Sequence, residues 1–212
     1  MKEFFKSDYD FIIGCDPGPA HSAFALVYCD GMDPDVVDMA YVPNGRIAEV
    51  RDPSEFYKLL DECSDSNKYF TESVTAKAST CAFVFEKCGV QAGGANALVF
   101  ETCMTAGAIR QLMGHLADDS FAFSPSDWRY VLTGKGSAND TIVRNVLLTL
   151  TPNCDILSRR FSTKAKKELN LKKPITSHVR DAAGVALALG LLTYRTGNDI
   201  KRFPARTEVH CG

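Results

Sequence analysis

The 212-residue chain has no strong excess of either charge: 24 Lys and Arg against 26 Asp and Glu leave a formal net charge of −2. Summed charge therefore gives no sign of an anionic partner, and any such partner must be met by a local patch. No Cys-x-x-Cys occurs. The cysteines stand singly at 15, 29, 63, 81, 88, 103, 154 and 211, which argues against a zinc ribbon or a thioredoxin-type site. Several lie in apolar segments, where a thiol acts as a small hydrophobe. Their placement points to a reducing compartment, so the expected location is the cytoplasm. The opening MKEFFKSDYD lacks a long apolar stretch, and no signal peptide is expected. The nearest approach to a membrane span, Ala182 to Leu192, is too short for one. No internal repeat and no long low-complexity tract is present.

What the chain does have is 45% hydrophobic residues, enough for a real core. Its length suits one ordinary domain with short appendages: a polar lead-in over 1–10, a domain over 11–195 and an irregular tail over 196–212. The stretch Phe11-Ile12-Ile13-Gly14-Cys15-Asp16-Pro17-Gly18 reads as a strand stopped by Pro-Gly. It places a carboxylate at the end of a buried strand, which is costly without a partner. Two readings are open there: a metal ligand, or a turn aspartate bonded to the Pro17-Gly18 backbone.

Ser22 to Cys29 and Val36 to Val42 read as strands returning beside the first, an antiparallel meander. Asp52-Pro53-Ser54-Glu55 is a helix start, followed by a Ser/Thr-rich loop or frayed helix end over 64–80. Ala82 to Glu86 repeats the pattern of apolar residues running into one carboxylate. After the glycine-containing loop 89–94, a long helix is expected over 95–116, with Val99, Cys103, Ala106, Ile109, Met113 and Leu116 as its buried stripe. Phe121 to Phe123 reads as a fifth strand. Helices are expected from Pro125, from Asn139 to Leu150, and from Ser177 to Tyr194; the last is apolar almost all round and so buried.

That last helix opens Ser177-His178-Val179-Arg180-Asp181. Residues three apart share a face, so His178 and Asp181 stand together at its N-terminal end. The plainer reading is an acidic residue favoured by the helix dipole. With Asp16 and Glu86 at the ends of neighbouring strands, the first turn of this helix can lie over both carboxylates. Oxygen ligands with one imidazole suit Mg²⁺ or Mn²⁺. Two such ions serve phosphodiester cleavage.

These residues, in this order, resemble the RuvC-like Holliday-junction resolvases of the ribonuclease H or retroviral-integrase superfamily. Ile13-Gly14-Cys15-Asp16-Pro17-Gly18 is similar to their Gly-Ile-Asp-Pro-Gly strand, and Phe83-Val84-Phe85-Glu86 to the strand with their second carboxylate. Thr133-Gly134-Lys135-Gly136-Ser137-Ala138 resembles their Thr-Gly-x-Gly-x-Ala segment. His178-Val179-Arg180-Asp181-Ala182-Ala183 resembles their last-helix pair. Pro125 with Trp128-Arg129 is similar to phage or viral members. The chain departs from cellular members at Ala23, Ala25, Asp140, Ile142 and Gly89; Gly89 stands where many of them carry an aromatic residue.

The resemblance implies a ribonuclease H-like α/β fold: a five-stranded mixed sheet, an antiparallel meander followed by parallel strands, flanked by helices. It implies a structure-selective endonuclease that resolves branched DNA, the four-way junction, leaving 5′-phosphate and 3′-hydroxyl ends. Asp16, Glu86, His178 and Asp181 would hold two Mg²⁺ (or Mn²⁺) ions, and a homodimer would present two sites to a two-fold symmetric substrate.

Arg159, Arg160, Lys164, Lys166, Lys167, Lys172 and Lys173 form a basic tract suited to DNA phosphates, or else a solvated face. Lys135 can meet phosphate or be a turn lysine. Glu101, His21 and His115 are expected away from the site, and Asp30, Asp33, Asp35 and Asp38 in turns or on a solvated strand face. The alternative function is a non-catalytic partner protein on an actin-like half-domain. Such scaffolds share the strand-Asp-x-Gly opening and need neither the His-x-x-Asp pair nor the basic tract.

Overall fold

The computed structural model describes residues 6–30, 34–64, 68–75, 80–88, 97–113, 119–151 and 176–195. Its strands are β1 (Lys6–Pro17), β2 (His21–Asp30), β3 (Asp35–Pro43), β4 (Cys81–Glu86) and β5 (Asp119–Phe123). They form one sheet in the order β3-β2-β1-β4-β5. The β1–β2 and β2–β3 pairs are antiparallel, and β1–β4 and β4–β5 are parallel. This is the mixed sheet expected from the sequence.

Side chains alternate across a strand, so each strand feeds two faces. Ile12, Ala23, Ala25, Val27, Ala82 and Val84 face one core, with Trp128 and the alanines of the last helix. Ile13, Cys15, Phe24, Leu26 and Phe83 face the other, against Ile47, Phe56, Leu60, Phe70, Ile109 and Met113. The second face is covered by α1 (Asn44–Glu49), α2 (Pro53–Glu62), α3 (Tyr69–Thr75) and α4 (Ala97–Met113); the first by α5 (Pro125–Thr133), α6 (Asp140–Leu150) and α7 (Thr176–Arg195).

Local signals account for three of the helix starts. Asp52 caps α2 by accepting from the Ser54 amide at 2.6 Å. Ser124 and Asp127 form a capping box at the start of α5, with Pro125 in its first turn. Asn139 accepts from the Ile142 amide at 3.0 Å and starts α6.

Elsewhere the structure corrects the sequence reading. The strand read from Phe11 begins at Lys6, which pairs with Asp30 of β2 across a shift in register; further along, the Thr80 amide donates to Asp10 Oδ2 at 2.8 Å. A separate helix, α3, lies in the segment read as a loop or frayed helix end. Its starting amides, Phe70 and Thr71, donate to Asp61 at 2.8 and 3.1 Å, a cap supplied by another helix and so invisible to local pattern. Helix α1 follows β3 directly. On α4 only Ile109 and Met113 of the expected stripe are fully buried, and Cys103 is exposed with Leu98, Phe100 and Met104; the first half of this helix does not pack on the sheet. Asp38 is buried, not solvated. Its Oδ1 accepts from the Met39 amide at 2.9 Å, beside a break in register at Leu26 and Val27. The glycine loop 89–94, Leu116, His115 and the tail 196–212 lie outside the described residues. Among the described residues no helix is long and apolar enough to cross a membrane.

Candidate active site

Parallel pairing brings the first two carboxylates together. The β1–β4 register runs from Phe11–Cys81 to Cys15–Phe85. One residue further on, Asp16 and Glu86 end the two central strands side by side, on the face that α7 covers.

Helix α7 reaches that face because nothing large intervenes. Gly14 lies directly beneath it: a Cβ there would come within 2.1 Å of the Ala182 carbonyl oxygen and 2.9 Å of the Ala186 Cβ. Ala182, Ala183, Ala186 and Ala188 are fully buried, as are Ala23 and Ala25 on β2. Small residues on both sides let helix and strand close up, and the first turn of α7 then sits over the strand ends. His178 Nδ1 lies 2.6 Å from Asp16 Oδ2. Asp16 is 8% exposed, while about half of the His178 side chain is open to solvent.

The electrostatics are those of a carboxylate cluster. Burial, then the charge of Asp16, pushes the Glu86 carboxyl up to about 7. Burial, then Asp16 and Glu86, pushes Asp181 up to about 7. The hydrogen bond that His178 makes to Asp16 holds its imidazole above the ordinary value. Arg129 acts against both raised carboxyls. Its guanidinium is tied to the Ala138 carbonyl at 2.9 Å and to Asp140 at 3.2 Å. A shallow cleft beside Asp181 is lined by Asp140, Arg144, Ser177 and Arg180.

All four residues singled out in sequence thus lie at one end of the sheet. Among the described residues, no group of three His, Cys, Asp or Glu side chains is drawn up closely enough to hold an ion ready-made. Carboxylates that repel one another turn to hydrogen-bond donors: Asp16 is engaged with His178, and Glu86 Oε2 accepts from Trp128 Nε1 at 2.7 Å. In kind, the donor set fits a hard divalent cation. The charge of Asp16 raises the affinity of Glu86, Asp181 and His178 for protons, and a counter-cation stabilises such a set.

Lys135 is exposed in the turn between α5 and α6, and Glu101 is exposed on α4. Arg159, Arg160, Lys164, Lys166, Lys167, Lys172 and Lys173 lie outside the described residues. Sequence reasoning noted Trp128 and Arg129 only as a resemblance and gave them no role at the site. The available signal was a Trp-Arg pair just inside a capped helix start that follows a strand neighbouring Glu86. Tyr41 also went unnoticed; its ring stacks on His21 at 5.0 Å and stands 6.5 Å from that of His178.

No family model matches the sequence. Over 178 residues the chain is 25% identical to the crossover junction endodeoxyribonuclease RuvC of Prosthecochloris aestuarii, a match spanning 83% of this chain and 79% of that one. The fold is shared with a structure of Thermus thermophilus RuvC at a TM-score of 0.54, with 19% identity over 87% of this chain and 95% of that one. It is shared also with T. thermophilus RuvC in complex with a Holliday junction substrate, at a TM-score of 0.57 and 16% identity over 88% of this chain and 96% of that one. The chain is thus similar in sequence to a RuvC crossover junction endodeoxyribonuclease over most of its length, and it shares the fold of the RuvC structures.

Proposed function

We propose that this protein is a divalent-metal-dependent endonuclease that cleaves four-way DNA junctions, leaving 5′-phosphate and 3′-hydroxyl ends. The observation that carries the proposal is the convergence of Asp16, Glu86, His178 and Asp181 at the residues matching the resolvase motifs. The relationship to RuvC supports the junction as substrate.

Asp16, Glu86, His178 and Asp181 would hold Mg²⁺ or Mn²⁺, two ions per site. Bound there, such ions supply a water of lowered pKa and neutralise charge building on the leaving oxygen. The protein's own part is orientation. Asp16 Oδ2 accepts from His178 Nδ1, which would fix the tautomer and leave Nε2 for a cation. Arg129 limits the repulsion between Glu86 and Asp181.

Lys135 and the tract of Arg159, Arg160, Lys164, Lys166, Lys167, Lys172 and Lys173 would meet backbone phosphates, giving an acidic protein a local basic surface. We place the nuclease domain within 6–195, since β1 starts at Lys6 rather than at Phe11, with 196–212 as a tail, and the protein in the cytoplasm. A two-fold symmetric junction calls for a homodimer. Similarity to phage or viral members rests on Pro125, Trp128 and Arg129.

Purified protein incubated with a synthetic four-way junction and Mg²⁺ should give paired nicks across the junction. A linear duplex of the same sequence, or EDTA, should give none. Failure to cut any branched DNA with Mg²⁺ or Mn²⁺ would overturn the proposal.

A further inference from the structure

Glu86 is held by a residue that has been given no task. Trp128 Nε1 donates to Glu86 Oε2 at 2.7 Å, and Trp128 is fully buried. A buried indole N–H needs an acceptor, but any carbonyl would serve; here the acceptor is one of the carboxylates of the candidate site.

The indole is firmly held. A Cβ on Gly184 would lie 2.7 Å from its Cζ3 atom, so α7 presses directly on the ring. The Arg129 guanidinium lies over it, 5.2 Å from the ring centre, and is itself anchored to Ala138 and Asp140. The capping box of α5 fixes the turn that carries Trp128. Glu86, by contrast, is the last residue of β4, on a flexible side chain that repulsion from Asp16 and Asp181 would drive outward.

We propose that Trp128 is a positioning residue: its N–H pins one carboxylate oxygen of Glu86 and leaves the other for a divalent cation. This rests on the nuclease reading and adds to it the residue that sets the place of the second carboxylate. Partners of this kind, one bond removed from a metal, typically change metal affinity or activity by roughly 10- to 100-fold when lost.

Trp128 is the one tryptophan of the chain, so emission excited selectively at the indole reports from this position. Titrating the full-length protein with MgCl₂, without DNA, should give a saturable change in emission that is lost in Glu86→Gln. Trp128→Phe keeps the ring and removes the donor. It should bind junctions as the wild type does, and need about ten times more Mg²⁺ or above for half-maximal cleavage. A wild-type Mg²⁺ requirement in folded Trp128→Phe would overturn the proposal, since a purely structural ring leaves that requirement unmoved. So would wild-type emission that stays flat under Mg²⁺, or a response unchanged in Glu86→Gln; these two need no Trp128 variant to fold. An Mg²⁺-saturable emission in a protein that cuts no junction would uphold the pin and remove the nuclease reading.

Discussion

Two buried aspartates show what makes a carboxylate part of a site. Asp38 and Asp16 are 1% and 8% exposed. Asp38 bonds to the amide of its own neighbour, Met39. Asp16 faces an imidazole from the far end of the chain and raises the proton affinity of two other carboxylates. Burial alone does not separate them; the company does. Asp16→Asn should therefore abolish cleavage while sparing junction binding, because holding a cation needs the charge and contact with DNA does not. The loss should exceed the ~100-fold expected from removing an outer partner of a metal. Single-turnover cleavage and a binding titration in EDTA measure the two separately. Wild-type cleavage in this variant would remove Asp16 from the site.

At the scale of elements, the site depends on how closely α7 approaches β1. Gly14→Ala would drive a methyl group into the Ala182 carbonyl, so the helix must shift. Overpacking of this kind costs about 1–3 kcal/mol and occasionally more. Urea unfolding should show that loss, and cleavage should fall with it, because α7 carries His178 and Asp181. Gly107→Ala is the control. It lies within α4 with nothing within 4 Å of an added Cβ, and helix propensity predicts up to about 1 kcal/mol of stabilisation. Equal stabilities for the two variants would refute the close approach. The basic tract is an element tested by charge. Replacing Lys164, Lys166 and Lys167 with Ala should weaken junction binding across sequences. It should also reduce the log–log salt slope by about one per lysine. An unchanged slope would leave the tract as a solvated face.

For the molecule as a whole, the clustered carboxylates oppose folding at neutral pH. Glu86 rises from 4.5 to about 7 and Asp181 from 3.8 to about 7. The folded state therefore holds protons that the unfolded state has released. Their contribution to stability is present below about pH 4 and is lost as pH rises through about 7. His178, raised from 6.5, shifts in the same sense. In EDTA, the Tm should fall between about pH 5 and about pH 8. Mg²⁺ should raise it more at pH 8, where the carboxylates are charged, than at pH 5. A Tm increment from Mg²⁺ that does not change with pH would count against these groups as its ligands.

The strand that ends in Asp16, the strand that ends in Glu86 and the helix that opens with His178 and Asp181 were all legible in the chain. Each is written in local chemistry: β-branched and apolar runs, Pro-Gly stops, capping residues, and a three-residue spacing on one helical face. The antiparallel meander of the first three strands was legible too, since short turns join them; the parallel strands beyond it were implied by the family resemblance. Tertiary structure alone decided the rest. Asp61 caps a helix it does not belong to, the first half of α4 stands clear of the sheet, and Asp38 is buried. The bond from Trp128 to Glu86 joins positions 42 apart, and that from His178 to Asp16 joins positions 162 apart. No local pattern encodes such pairs. They exist because parallel pairing sets two strand ends level and because Gly14 and Gly184 let α7 settle onto β1 and the indole.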